Sequence, residues 1–234
     1  MIDRSLNYGR HHIKAFLESC LPFETVLDIG AGKGDDLTLV SQIGGGTCQR
    51  FAIEAYDENV KFLTEKGIKV YAKNIERDIF PFEDGSIDVV VANQILEHTK
   101  ELFWIFHEIT RILPIGGKLI IGVPNLASLH NRMLLAFGRQ PTPIQTDSAH
   151  VRGFTKSSLL KFLKKCFPEG YRLKKSGGSN FYPFPPIIAK PLAKALPNMA
   201  WGMFLLLEKK REYERSFLEF PIKERLETNY YVGT

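Results

Sequence analysis

The sequence predicts an α/β chain in which a doubly wound sheet of about seven strands, the first five parallel, carries helices on both faces. Three observations predict it. Short, nearly all-apolar β-branched runs alternate with amphipathic stretches through the first half, as βαβ units with strands buried on both faces require. A glycine-rich turn, Gly30-Ala31-Gly32-Lys33-Gly34, follows the first such run and opens a helix. Hydrophobic residues make up 44% of the 234 and charged residues 24%, enough to bury a full core without disulfide or metal support.

In chain order, a helix over residues 11–19 precedes the first strand. Strands are predicted at 25–29, 50–53, 69–72, 87–92 and 118–122, each apolar at its centre. Residues 57–66 form a helix that Gly67 terminates. The clearest helix covers 100–113, where Leu102, Ile105, Phe106, Ile109, Ile112 and Leu113 share one face, and Pro114 with Gly116-Gly117 stops it. After Val123 the alternation fades into an insertion with a helix over 126–137 and a polar stretch with prolines. Thr155 is placed to cap a helix ending at Cys166, with Leu159, Phe162, Leu163 and Cys166 inward and three lysines outward. Two last strands, 172–176 and 203–208, close the sheet. Between them lies a proline-punctuated apolar segment too broken to span a bilayer. The charged tail, 209–227, reads as a surface helix or an arm.

The net charge of +5 hides an asymmetry. Residues 1–130 hold 13 Lys/Arg against 18 Asp/Glu, whereas residues 131–234 hold 18 against 8. The basic half would attract an anionic small molecule, an acidic membrane surface or a nucleic acid. Its lysines lack the aromatic interleaving of a base-stacking platform, which disfavours nucleic acid. Cys20, Cys48 and Cys166 are odd in number and far apart, suiting neither a disulfide framework nor a zinc site, and no metal-ligand spacing stands out. No basic region with an apolar run and cleavage site follows Met1, so a cytoplasmic location is expected.

The glycine turn carries the chemistry. Glycines at 30, 32 and 34 let the backbone approach a ligand where side chains would block it. A dinucleotide fingerprint needs glycine at its sixth position, but Asp35 stands there. Asp28, at the end of the preceding strand, would repel a diphosphate and stabilise an ammonium. The turn therefore favours a cationic, phosphate-free ligand, and S-adenosylmethionine has that character. Glu54 ends the second strand, where a carboxylate accepts hydrogen bonds from both hydroxyls of a ribose, a role a dinucleotide enzyme would share.

Over residues 20–125 the chain resembles the class I S-adenosylmethionine-dependent methyltransferases, in the type 11 group that shares a domain with ubiquinone and menaquinone methyltransferases. The resemblance rests on Val26-Leu-Asp-Ile-Gly-Ala-Gly-Lys-Gly34, Ile53-Glu54, Phe80-Pro-Phe-Glu-Asp-Gly-Ser-Ile-Asp-Val-Val90, Leu96-Glu-His98 and Gly116-Gly-Lys-Leu-Ile-Ile121, in that order. It implies a Rossmann-like fold with one antiparallel strand near the C-terminus. It also implies that Asp28, Gly30, Ala31, Gly32 and Gly34 surround the methionine part, Glu54 and Ala55 hold the ribose, Asn74 and Ile75 border the adenine, and Asn93 faces the cofactor. S-adenosylhomocysteine would be the product. Asn74 departs from the aspartate frequent in these families, although its amide oxygen still accepts a hydrogen bond.

Methyl transfer from a sulfonium is an in-line displacement, so alignment and exclusion of water matter more than a metal or covalent intermediate. His98 and His150 are the candidates for a general base, should the acceptor keep its proton late; the competing roles are structural or cofactor-lid for His98 and a solvated or structural loop residue for His150. Asn93-Gln94-Ile95-Leu96 lacks the Pro-Pro-aromatic arrangement that holds a base amine, and no cysteine follows a proline, which disfavours base methylation. The expectation is a single domain over 1–234: core 20–125, an acceptor-side insertion and helix 126–170, last strands with a Pro-rich insert 171–208, and a tail 209–234. The acceptor is expected to be a small molecule or lipid- or glycan-linked, with peripheral membrane contact through 183–207. A non-catalytic S-adenosylmethionine-binding module and a dinucleotide-dependent oxidoreductase are the alternatives.

Overall fold

The computed structural model describes residues 3–45, 48–226, 230, 231 and 233. Seven strands form one sheet: β1 (Thr25–Ile29), β2 (Gln49–Glu54), β3 (Lys69–Ala72), β4 (Val89–Asn93), β5 (Lys118–Pro124), β6 (Tyr171–Ser179) and β7 (Gly202–Lys209). Their order is β3-β2-β1-β4-β5-β7-β6. Strands β1 to β5 are parallel, and β7 enters antiparallel between β5 and β6. This is the doubly wound, Rossmann-like sheet with one antiparallel strand that the motifs imply.

The two-residue period of the strands divides the core. Leu27, Ile29, Val90, Ala92, Leu205 and Leu207 point to one face, and Val26, Val89, Val91, Phe204 and Leu206 to the other. Helices α4 (Leu102–Ile112) and α6 (Lys156–Cys166) cover the first face, and α1 (Arg10–Glu18) and α2 (Asp35–Ile43) cover the second, with α3 (Asp57–Glu65) beside β2 and β3. Thr155 caps α6 as expected, in a reciprocal box with Ser158. Asp28 falls on the Val26 face, and this alternation aims its carboxylate toward α2 rather than into the aromatic core.

Three expectations need correction. The helix expected over 126–137 is only α5 (Leu129–Ala136), because Asn125 Oδ1 accepts the Ala127 N–H and Ser128 caps the helix through Asn131 N–H. Of the two readings of the tail the structure bears out the helix and corrects the arm: α8 (Ser216–Lys223) packs on α4 and α6 and buries Phe217 and Leu218, while Glu227 lies outside the described residues. Phe217 stacks on Phe106 at 5.6 Å and approaches Phe162 and Phe167, so a segment charged on average still carries a core-forming stripe. The segment 183–207 is split between α7 (Pro186–Ala195), a short 3-10 turn at Pro197–Met199 and β7. Residues 203–207 are buried inside the sheet and cannot meet a membrane; Ile187, Ile188 and Leu196 are the segment's exposed large apolar side chains. No helix of the described residues is long and apolar enough to cross a membrane.

Candidate functional site

At the C-terminal edge of the parallel strands, where doubly wound sheets bind ligands, lies a cavity of about 390 Å³. Asp28, Gly30, Ala31, Gly32 and Asn93 line it, as the motifs predict, together with Tyr8, Arg10, Lys33, Asp35, Asp36 and Gln94. Backbone geometry opens the space. Gly30 has φ +68°, and a Cβ there would sit 2.5 Å from Ile95 carbons. Gly32 has φ +53°, and a Cβ there would meet no neighbour, so its open side is left for a ligand. Gly34 serves packing instead, with Leu63 closing on its Cα at the start of α2.

The cavity is strongly polarised. Asp28 is 3% exposed, and burial, reinforced by the Asp36 and Glu54 carboxylates, holds its carboxyl well above the usual carboxylate range. Burial also raises Asp36, opposed by the Asn93 amide and by Arg10. Asn93 donates to Asp36 Oδ2 (2.7 Å) and to the Tyr8 carbonyl (3.1 Å). Gly122 makes room for Asn93, since a Cβ there would collide with its amide oxygen. Arg10 stacks over the Tyr8 ring and pairs with Asp35 at 2.6 Å and, more loosely, with Asp36 at 3.7 Å. Four buried polar atoms around this space have no hydrogen-bond partner among the described residues: Arg10 Nε, Asp36 Oδ1, Asn93 Oδ1 and Gln94 Nε2. Gln94 also holds φ +57°, a conformation costly for a non-glycine residue.

Glu54 sits behind the glycine turn. One carboxylate oxygen accepts the Gly32 N–H at 2.8 Å, and the other accepts the Ala55 and Tyr56 N–H groups, both at 2.9 Å. It thus locks the turn to the end of β2. Asn74 is exposed, and its Oδ1 accepts the Glu76 N–H, while Ile75 is buried in the core. Gly34, Glu54, Ala55, Asn74 and Ile75 do not line the 390 Å³ cavity itself.

The two candidate histidines, 52 positions apart in sequence, come together with rings 4.6 Å apart and nearly perpendicular. His98 Nδ1 bonds the Ala149 carbonyl (3.3 Å), and His150 Nδ1 bonds the Pro143 carbonyl (2.9 Å). Glu97, 1% exposed, lies beside them, and burial pushes its carboxyl up to about 8. Burial, with His150 next, pushes His98 down.

A second, larger cavity of about 780 Å³ adjoins the first through Arg10. The start of α1, the end of β6 and α7 enclose it, with Leu6, Ala193 and Pro197 beside the cationic Arg10, Lys190 and Lys194. His11 also lines it, its pKa lowered to about 4 by burial and then by His12 and Lys190.

Motif reasoning missed Tyr8, Arg10, Lys33, Asp35, Asp36 and Gln94 as lining residues. Tyr8-Gly9-Arg10 just ahead of the first helix, and an acid doublet at the end of the glycine turn, were the available signals.

Residues 10–160 match the family model described as methionine biosynthesis protein MetW. Among curated relatives, an uncharacterised 37.1 kDa protein of a Streptomyces fradiae transposon is 32% identical over 111 residues, 46% of this chain and 32% of its own. An arsenite methyltransferase of Halobacterium salinarum is 31% identical over 121 residues, 50% of this chain and 31% of its own. The chain spans about a third of the length of these relatives. Among solved structures, a Burkholderia thailandensis 1,6-didemethyltoxoflavin-N1-methyltransferase with bound S-adenosylhomocysteine superposes with TM-score 0.57, 15% identity, 86% of this chain and 78% of that one. The [4+2]-cyclase SpnF superposes with TM-score 0.61, 17% identity, 87% of this chain and 82% of that one. The fold is that of class I S-adenosylmethionine-dependent methyltransferases. A cyclase on the same fold shows that the fold by itself does not choose the reaction.

Proposed function

The chain belongs to the family of the methionine biosynthesis protein MetW, and from that premise and the polarised cleft we propose that it binds S-adenosylmethionine and transfers its methyl group to a small, lipid-linked or glycan-linked acceptor. The observation that carries the reading is a cavity that holds the buried Asp28 and Asp36 beside Arg10, with four buried polar atoms that lack a hydrogen bond among the described residues, two of which, Arg10 Nε and Asp36 Oδ1, face each other only as a loose ion pair at 3.7 Å. Two buried acids and one guanidinium suit the amino-acid end of the cofactor: the acids hold the ammonium and Arg10 holds the carboxylate. A diphosphate would face both acids, which disfavours a dinucleotide. Glu54 serves the ribose from behind the turn, with Ala55 beside it, and Asn74 and Ile75 border the adenine. When bound, the cofactor supplies an electrophilic methyl for in-line displacement.

The acceptor belongs in the 780 Å³ cavity, whose apolar wall and three cations suit an amphipathic molecule with an anionic head. Ile187, Ile188 and Leu196 on α7 and the turn after it offer a limited membrane-facing patch beside it. His98 and His150 line neither cavity, so a general-base role for either, through the Nε2 that its carbonyl-bonded Nδ1 leaves free, requires the reacting end of the acceptor to extend to them.

Thermal unfolding with S-adenosylmethionine, S-adenosylhomocysteine and NAD tests the cofactor. At a hundredfold excess over Kd a native-state ligand adds about 2.7 kcal/mol, a rise of several degrees. A shift with NAD alone overturns the reading. Asp28→Ala and Glu54→Ala are each expected to abolish the S-adenosylhomocysteine shift; retention in both means the ligand sits elsewhere. The cyclase on this fold favours keeping one other reading, a module that binds the cofactor without methyl transfer. Host extract incubated with the chain and labelled cofactor separates them: a labelled product names the acceptor, whereas binding without any label favours the module.

A further inference from the structure

We infer that Glu97, His98 and His150 form a three-ligand site for a divalent transition-metal ion, leaving its remaining coordination positions open. One ligand atom from each of the three lies within 4.8 Å of the others. Tetrahedral donors about 2.1 Å from zinc stand about 3.4 Å apart, so side-chain adjustments of an ångström or so close the site. The buried Glu97 Oε2 accepts no hydrogen bond among the described residues, an expensive state for a carboxylate that a cation would relieve.

His98 is exposed and His150 half-buried, yet both rings are tethered. Each ring has Nδ1 on a backbone carbonyl, Ala149 for His98 and Pro143 for His150, which fixes Nδ1 as the N–H and leaves the Nε2 lone pair for a metal. The loop bearing His150 is fastened to the turn bearing His98. Val151 and Arg152 N–H donate to the Glu97 carbonyl at 2.9 and 3.4 Å, and the Arg152 guanidinium donates to the Thr99 and Lys100 carbonyls at 3.1 and 2.7 Å. Two imidazoles and one carboxylate select zinc, iron or manganese over magnesium or calcium. None of the three residues lines the cofactor cavity, but a metal on both Nε2 atoms occupies the lone pairs a general base would need, so metal ligation and that role exclude one another.

The test uses the full chain, stripped with chelator and titrated with Zn²⁺ by calorimetry, and with Co²⁺ followed by its visible absorption. One ion per chain is expected, with a Co²⁺ spectrum that is lost in the His98→Gln/His150→Gln double variant. Glu97→Gln, which keeps the buried shape, is expected to weaken Zn²⁺ roughly tenfold or more. The S-adenosylhomocysteine shift is read in the same samples, so failure of the metal site and failure of the cofactor reading are seen separately. Absence of uptake by the unaltered chain overturns the inference. So does one-to-one binding that survives in the double variant, which would place the ion on the cysteines or elsewhere.

Discussion

The acid-lined cleft and the C-terminal half meet at Arg10 and are stabilised in opposite ways. In the cleft, Asp28 and Asp36 are buried near one another and near Glu54, and burial raises the carboxyls of Asp28 and Asp36, so the ligand-free cleft opposes folding. In the C-terminal half, charge is positive and largely at the surface, and stability comes from Phe162, Phe167, Tyr213 and Phe217 packed on α4. A buried Lys209 completes this half, donating to the Thr110 and Leu113 carbonyls at the C-terminal end of α4. The difference shows a division of labour: one half holds electrostatic strain that the proposed cationic ligand would relieve, and the other supplies packing that makes the strain tolerable.

Substitutions in each half test this division of labour, the largest effects falling on the aromatic packing. Phe217→Ala should cost about 3–5 kcal/mol and lower the unfolding midpoint by roughly 10 °C, with S-adenosylhomocysteine affinity of the folded protein unchanged. Lost affinity at a temperature where the variant remains folded would show that the halves are not separable. His107 binds Tyr213 at 2.8 Å and is held down to about 4, chiefly by burial. A depressed histidine favours folding above its unfolded pKa near 6.5, so this contribution, about 3 kcal/mol, disappears as pH falls from 6.5 through 4. His107→Gln should flatten that slope in a pH series of denaturant midpoints.

Arg10→Ala should weaken S-adenosylhomocysteine roughly 10- to 100-fold, the loss of a charge-assisted bond, as read by calorimetry. Asp28→Asn should raise the ligand-free midpoint at neutral pH by on the order of 2–4 °C while removing the ligand shift. Because the Asp28 carboxyl is raised in the folded state, its wild-type contribution improves as pH falls toward the ordinary carboxylate value and worsens as pH rises through the folded one. The advantage of the asparagine should therefore vanish in acid. Smallest of all, Lys190→Ala and Lys194→Ala should raise KM for an anionic acceptor about two- to fivefold and flatten its salt dependence, without moving the cofactor shift.

Much of the cleft was legible because consecutive residues form it. Asp28, Gly30 and Gly32 lie within one strand and its turn, and Glu54 ends the adjacent strand in register, with Ile29 opposite Ile53. Arg10 and Asp36 were not legible as site residues, since an arginine starting one helix and an acid starting another are ordinary surface features until the sheet brings them together. The same holds for α8: its high charge concealed Phe217 and Leu218, whose burial depends on α4 and α6 leaving a gap of the right shape.

By itself the sequence determined the strand-helix alternation, the parallel core and the glycine turn, because periodicity and local backbone requirements are written in neighbouring residues. Folding alone decided that His150 stands beside His98 and Glu97, that Arg10 joins two cavities, and that the basic half closes a pocket against the start of α1. Those relations depend on distances between residues far apart in the chain, and no sequence spacing sets them before the sheet has formed.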